Sequence, residues 1–435
     1  MPLSARRRTA LVASLSAGIL AATITLASGS AALAAEPAAP APASAPVSVI
    51  PNGSGASGTA GLNYVALGDS YSAGYGLTPY SDKPAVGCYQ ADENYPHRLA
   101  AALNLNLTDV TCSGAVTANI IDTPQVTTQG QPPAPVQSDA LSASTNIVTI
   151  TIGGNDFGFG PMAATCLALS ATGPTLSTYA NCKAFYDFYG KDYLSTKIVD
   201  VVQPAVKRAF ELIHQKAPNA KIFVIGYPAI APDAAHIPAT GCFTSVLGTG
   251  QPPFPQNAYP FTDIDVPYLH DLEAQLDSVI HTEAEAIGAT FVPLFDQTVG
   301  NSPCASNPAS YINGLTIQDD PNAPGVPAVM PDGQPVAAPN GSPISLKLGA
   351  LHPNEAGVSF IESKVQAAVT AAFPPAGTVP IGRVVPATDP PANTVPMLAE
   401  SGSDPVSWIW LAAFAMLSGA WVLVFMQRRA ARKQR

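Results

Sequence analysis

The feature that most constrains this chain is a short apolar run that stops abruptly. Tyr64-Val65-Ala66-Leu67 is followed at once by Gly68-Asp69-Ser70-Tyr71-Ser72-Ala73-Gly74. The run is rich in strand-forming residues and ends at glycine, so it reads as a buried strand that delivers Ser70 to the turn above a sheet. A serine at a strand-to-helix turn has backbone N–H groups nearby to receive negative charge, and it can serve as a nucleophile.

Three further blocks follow in order. Cys112-Ser113-Gly114-Ala115 comes first, and Gly153-Gly154-Asn155-Asp156 follows the β-branched run Ile147 to Ile152. His352-Pro353-Asn354 precedes a helical pattern that runs to about Phe373. Other strands are expected at Val110 to Cys112, Lys221 to Ile225 and Thr290 to Leu294. Helices are expected from Asn94 to Leu105, from Tyr193 to Lys216 with Pro204 starting or kinking a segment, and from Pro267 to Gly288. Strands alternating with helices predict an α/β fold with a central parallel sheet between two helical layers. Sites in such sheets gather at the C-terminal ends of strands, where Ser70, Gly114 and Asn155 all fall.

The four blocks together resemble the SGNH or GDSL hydrolases, most like their secreted actinobacterial lipase and esterase branch. Ser70, Gly114, Asn155 and His352 match the four name-giving positions, and the resemblance spans about residues 62–373. It implies a three-layer α/β/α hydrolase domain of flavodoxin-like type and a cofactor-free, metal-free enzyme. It implies ester cleavage through an acyl-enzyme, with Ser70 as nucleophile and His352 as base. Ser70, Gly114 and Asn155 would form the oxyanion hole. The family usually places an aspartate three residues before the histidine, where this chain has Gly349. Part of the actinobacterial branch uses a backbone carbonyl there, so the expectation is a Ser-His dyad with Gly349 C=O accepting from the ring. Asp69 reads as structural, Glu355 as a helix-opening acid, and His214, His270 and His281 as surface or packing residues of helices. Carbohydrate acetylesterase and phospholipase activities occur in the same family and stand as alternatives. A catalytically inactive display protein is a rival of another class.

Six cysteines, Cys88, Cys112, Cys166, Cys182, Cys242 and Cys304, form an even set, which favours disulfides in an exported chain. Spacing alone leaves the pairing open. The resemblance implies sequential pairs.

The ends carry their own signals. Residues 1–34 combine Arg6-Arg7-Arg8, an apolar core and Ala32-Leu33-Ala34, as in a secretory signal peptide. Residues 35–61 form an Ala/Pro-rich linker and residues 374–397 a Pro-rich one. Residues 406–426 are 21 consecutive uncharged positions, enough to span a bilayer, before a basic tail at 427–435. With Leu398-Ala399-Glu400-Ser401-Gly402 before it, this end resembles a sortase sorting signal. That implies sortase and peptidoglycan as partners and attachment to the cell wall. Ser401 stands where such signals usually carry threonine, and a permanent membrane anchor is the alternative.

Without residues 1–34 and 402–435 the chain keeps 12 Lys and Arg against 29 Asp and Glu, a formal charge of −17. Such acidity argues against nucleic acid as a partner. A monomer acting on a small-molecule or lipid ester is the expectation.

Overall fold

The structure is a computed structural model. It describes residues 58–375 apart from 189, 251, 306–309, 321–322, 329–333, 338–340 and 342. The expected signal peptide, sorting signal and membrane span lie outside the described residues, as do most of the two linkers. Among the described residues no helix is long and apolar enough to cross a membrane.

Five strands form one parallel sheet: β1 (Asn63–Gly68), β2 (Asn106–Asp109), β3 (Ile147–Thr151), β4 (Lys221–Ile225) and β5 (Thr290–Val292). Their spatial order is β2-β1-β3-β4-β5, with Tyr64 opposite Ile147 and Val148 opposite Ile222. The three inner strands are apolar almost throughout because both faces of the sheet are covered. Alternate residues therefore enter two different cores. Val65, Leu67, Val148, Ile150, Ile222 and Val224 face one layer, whereas Tyr64, Ala66, Ile147, Phe223 and Ile225 face the other.

Counting only the helices used below, α1 (Ser70–Ala73) tops β1 and α2 (Tyr95–Leu103) follows. Then come α3 (Gly154–Phe157), α4 (Phe159–Cys166), α5 (Gln203–Lys216), α6 (Asp265–Ala286) and α7 (Glu355–Ala372). Helices α5 and α6 cover the first face, burying Val206, Phe210, Ile213, Leu272, Leu276 and Ile280. Helices α2 and α7 cover the second with Leu99, Leu103, Val358, Ile361, Val365 and Val369. Each such side chain contributes about 1.5–3 kcal/mol of burial free energy. The result is the expected three-layer α/β/α fold.

Caps set the helix limits. Asn94 Oδ1 accepts from His97 N–H at 3.0 Å to start α2, and Asn104 ends it in a left-handed turn at φ 53°. Asn354 Oδ1 accepts from Gly357 N–H at 3.0 Å to start α7. Ahead of α5 the helix continues back through a wide turn at Ile198–Val202 to Tyr193–Lys197, so Pro204 begins a segment and does not kink one.

One strand expectation is displaced. The edge strand β2 is the polar Asn106-Leu107-Thr108-Asp109, whose residues are half-exposed or exposed. Val110 and Cys112 only continue the pairing irregularly, with their N–H groups donating to Ala66 and Gly68 C=O at 3.0 and 3.1 Å.

The disulfides join Cys88–Cys112, Cys166–Cys182 and Cys242–Cys304, the sequential pairing. The long loop before α7 folds back over the sheet end, where Gly325–Pro327 pairs antiparallel with Ser345–Lys347.

Candidate active site

Ser70 begins α1 directly above β1 and is 9% exposed. Asp69 is the cap of this turn, its Oδ1 accepting from Tyr71 N–H at 3.0 Å. Gln137 grips the turn from below: its Oε1 accepts from Gly68 N–H at 2.7 Å and its Nε2 donates to Gly68 C=O at 2.9 Å. The nucleophile turn is thus fixed on both sides of the serine.

His352 arrives 282 positions later, and its Nε2 lies 2.7 Å from Ser70 Oγ. The loop that carries it is tied to the serine helix by Tyr71 O–H, which donates to Leu351 C=O at 2.7 Å. Tyr71 and Tyr75 pack on the imidazole with ring centroids 4.8 and 4.9 Å away. Burial holds the His352 imidazole down at about 4, partly offset by its bond to a carbonyl, so the ring is neutral and basic at neutral pH.

The carbonyl is not that of Gly349. His352 Nδ1 donates to Ala350 C=O at 2.8 Å. Gly349 C=O is engaged by the turn itself, accepting from His352 N–H at 3.1 Å and Asn313 Nδ2 at 3.3 Å. The absence of a side chain at 349 also has a local cause. Gly349 has φ +83°, and a Cβ there would meet Gly76 Cα at 2.6 Å. Two backbones approach too closely for an aspartate at this position.

Asn155 sits in α3, directly after β3. Its Nδ2 donates one hydrogen to Ala115 C=O at 2.9 Å, which fixes the amide and leaves its second N–H. The next residue reinforces the link, since Asp156 accepts from Thr117 N–H at 3.0 Å and Thr117 O–H at 2.6 Å. Gly114 adopts φ +82°, a left-handed turn that favours glycine. Neither Ser70 N–H nor Gly114 N–H donates to a backbone carbonyl among the described residues.

Tyr227 was not singled out by sequence, although Gly226-Tyr227-Pro228 ends β4 at the same rim. Its hydroxyl accepts from Gly154 N–H at 3.0 Å and donates to Asp69 Oδ2. It therefore bridges the serine turn and the Asn155 turn. Burial pushes the Asp69 carboxyl up to about 7, against the pull of its bonds from Tyr227 and the Tyr71 backbone.

Beside Ser70 and His352 opens a cavity of about 360 Å³. Its wall is mostly apolar, with Phe159, Leu167, Ile230, Leu276, Phe295 and Leu346 among the lining residues. The loop before α7 supplies part of that wall, as expected of a long connection that borders a site. Of the other histidines, His270 donates or accepts at Ala231 C=O, His281 stacks on Phe291, and His214 is exposed. Glu355, at the start of α7, pairs with Arg98 at 2.7 Å.

A serine hydrogen-bonded to a neutral imidazole, with amide donors at neighbouring strand ends, is an arrangement suited to acyl transfer. The sequence matches the model of the GDSL-like lipase/acylhydrolase family over residues 66–359. The chain belongs to that family. It is 34% identical over 262 residues to lipase 2 of Streptomyces coelicolor, covering 60% of this chain and 79% of that one. It is 30% identical over 261 residues to an esterase of Streptomyces scabiei, covering 55% and 72%. Among solved structures, phospholipase A1 of Streptomyces albidoflavus aligns at a TM-score of 0.48 and 23% identity, over 72% of this chain and 100% of that one. This acylhydrolase is a carboxylic ester hydrolase, and its family relatives carry the names lipase and esterase.

Proposed function

We propose that the enzyme is a serine esterase of lipase type that works through a Ser70–His352 dyad. The observation that carries the proposal is the 2.7 Å contact between Ser70 Oγ and His352 Nε2 in a member of an acylhydrolase family. Neutral His352 takes the Ser70 proton as Oγ attacks the ester carbonyl. Ser70 N–H, Gly114 N–H and the free Asn155 Nδ2–H meet the developing oxyanion, each such donor being worth about 10²–10³ in rate. The imidazolium then protonates the leaving alcohol. Water, activated by the same histidine, releases the acid from Ser70. Ala350 C=O holds the ring in the tautomer with hydrogen on Nδ1, the task of the carboxylate in a triad.

The cavity receives the acyl chain. Its apolar lining supports long acyl groups over acetate and counts against a carbohydrate acetylesterase, which needs a shallow polar cleft. The intact Ser70, Asn155 and His352 set counts against an inactive display protein.

The ends of the chain are read as an export signal at 1–34 and a surface anchor at 398–435. Three disulfides support an oxidising, extracellular setting.

The test is hydrolysis of p-nitrophenyl esters from acetate to palmitate by the full chain and by Ser70→Ala. A maximum at medium or long chains, lost at least ~10³-fold in the variant, is expected. A maximum at acetate would reverse the assignment of acyl length, and activity retained by Ser70→Ala would remove the dyad.

A further inference from the structure

The cavity wall carries two carboxyl side chains, Glu273 and Asp277, one turn apart on the same face of α6. The two oxygens of Glu273 have different surroundings. Oε2 accepts from Ile230 N–H at 2.8 Å and Ala231 N–H at 3.3 Å. Oε1 is closed off from bulk solvent and has no hydrogen-bond partner among the described residues. The tyrosines whose charge it senses do not reach it: Tyr71 O–H is directed to Leu351 C=O and Tyr259 O–H to Ile230 C=O at 3.1 Å. Asp277 Oδ1 is likewise without a partner among the described residues.

Burial pushes the Glu273 carboxyl up to about 8, so at neutral pH it keeps its proton. Two N–H donors already occupy Oε2, which leaves the proton on Oε1. The wall of an apolar cavity thus holds an O–H group with nothing to bond. Interiors pair almost all such groups, and a leucine would line the cavity without the desolvation penalty.

We propose that Glu273 is a specificity residue for the acyl chain, its Oε1 hydrogen-bonding a hydroxyl carried by the chain in the cavity, so that hydroxylated acyl esters are preferred. The inference rests on the reading that the cavity takes the acyl chain. A neutral acid offers a hydrogen and no charge, which suits a hydroxyl better than an ammonium group. A site built around an unpaired polar group discriminates against substrates that leave it unpaired.

The experiment compares kcat/KM for p-nitrophenyl decanoate with that for its monohydroxy positional isomers, using the full chain, Glu273→Leu and Glu273→Gln. In the wild type at least one isomer is expected to exceed the plain ester by on the order of tenfold. Glu273→Leu should hydrolyse the plain ester as well or better and lose the preference. Glu273→Gln should keep most of it, its carbonyl taking the two backbone N–H bonds and its amide N–H replacing the acid hydrogen. Plain ester turned over with no isomer preferred by the wild type would overturn the role of Glu273 and leave the esterase reading standing. Preference retained by Glu273→Leu would overturn it equally. A wild type that hydrolyses none of these esters would remove both readings together. If the leucine variant does not fold, the wild-type isomer series alone still decides.

Discussion

Replacing Gly349 by aspartate would place the family's usual carboxylate three residues before the histidine, and the structure says that this should harm the enzyme. Two penalties follow from the geometry. An L-residue at φ +83° costs about 1–2 kcal/mol over glycine. A Cβ at 2.6 Å from Gly76 Cα meets backbone, which cannot swing aside, and forced overpacking adds about 1–3 kcal/mol. A total of about 2–5 kcal/mol corresponds to a fall in Tm of roughly 5–15 °C. Relief of the contact must displace the turn that aims His352, and a shift of about 1 Å at a reacting group costs about 10² in rate. Thermal unfolding and kcat/KM on a p-nitrophenyl ester measure the two effects. Gly349→Ala carries the same Cβ without the charge and should lose nearly as much. The reasoning fails if Gly349→Asp keeps wild-type kcat/KM while the acid limb of its pH profile moves upward, because that would show a carboxylate reaching the imidazole.

Two further outcomes are expected. Catalysis needs neutral His352, whose native value is lowered from 6.5 to about 4 by burial, so kcat/KM should stay level through weakly acidic pH and halve only near pH 4. Because the unfolded chain binds the extra proton between about 4 and 6.5, this group's part of the stability is full above that window and lost as pH falls through it. A limb centred at 6.5 in the rate profile would contradict the burial argument. Tyr227→Phe removes the acceptor of Gly154 N–H and the donor to Asp69, so kcat should fall about tenfold with KM unchanged. A change in KM alone would place Tyr227 in substrate binding and not in alignment of the two turns.

Much of this arrangement was legible in the sequence, because strong local patterns and tertiary burial agree. Inner strands β1, β3 and β4 announce themselves through continuous apolar runs, and α6 through its helical stripe. The edge strand β2 did not, since Asn106, Thr108 and Asp109 are held by pairing with β1 and not by burial. Four blocks located Ser70, Gly114, Asn155 and His352, yet the partner of the ring was off by one residue. Which carbonyl faces Nδ1 depends on the turn formed by Gly349, Leu351 at φ 56° and Asn313, a contact from 36 residues upstream. Tyr227 and Glu273 left no motif, as their roles arise from where β4 and α6 meet the rim of the sheet.

The separation of Ser70 from His352 bears on when activity can begin. A ribosome makes the nucleophile early and the base 282 residues later, and that base is held in place only once the last described helix packs beneath it. A nascent or truncated chain that ends before this helix therefore displays a serine with no proton acceptor. Hydrolysis switches on with completion of the domain, which gives the chain a built-in delay between synthesis and its first turnover.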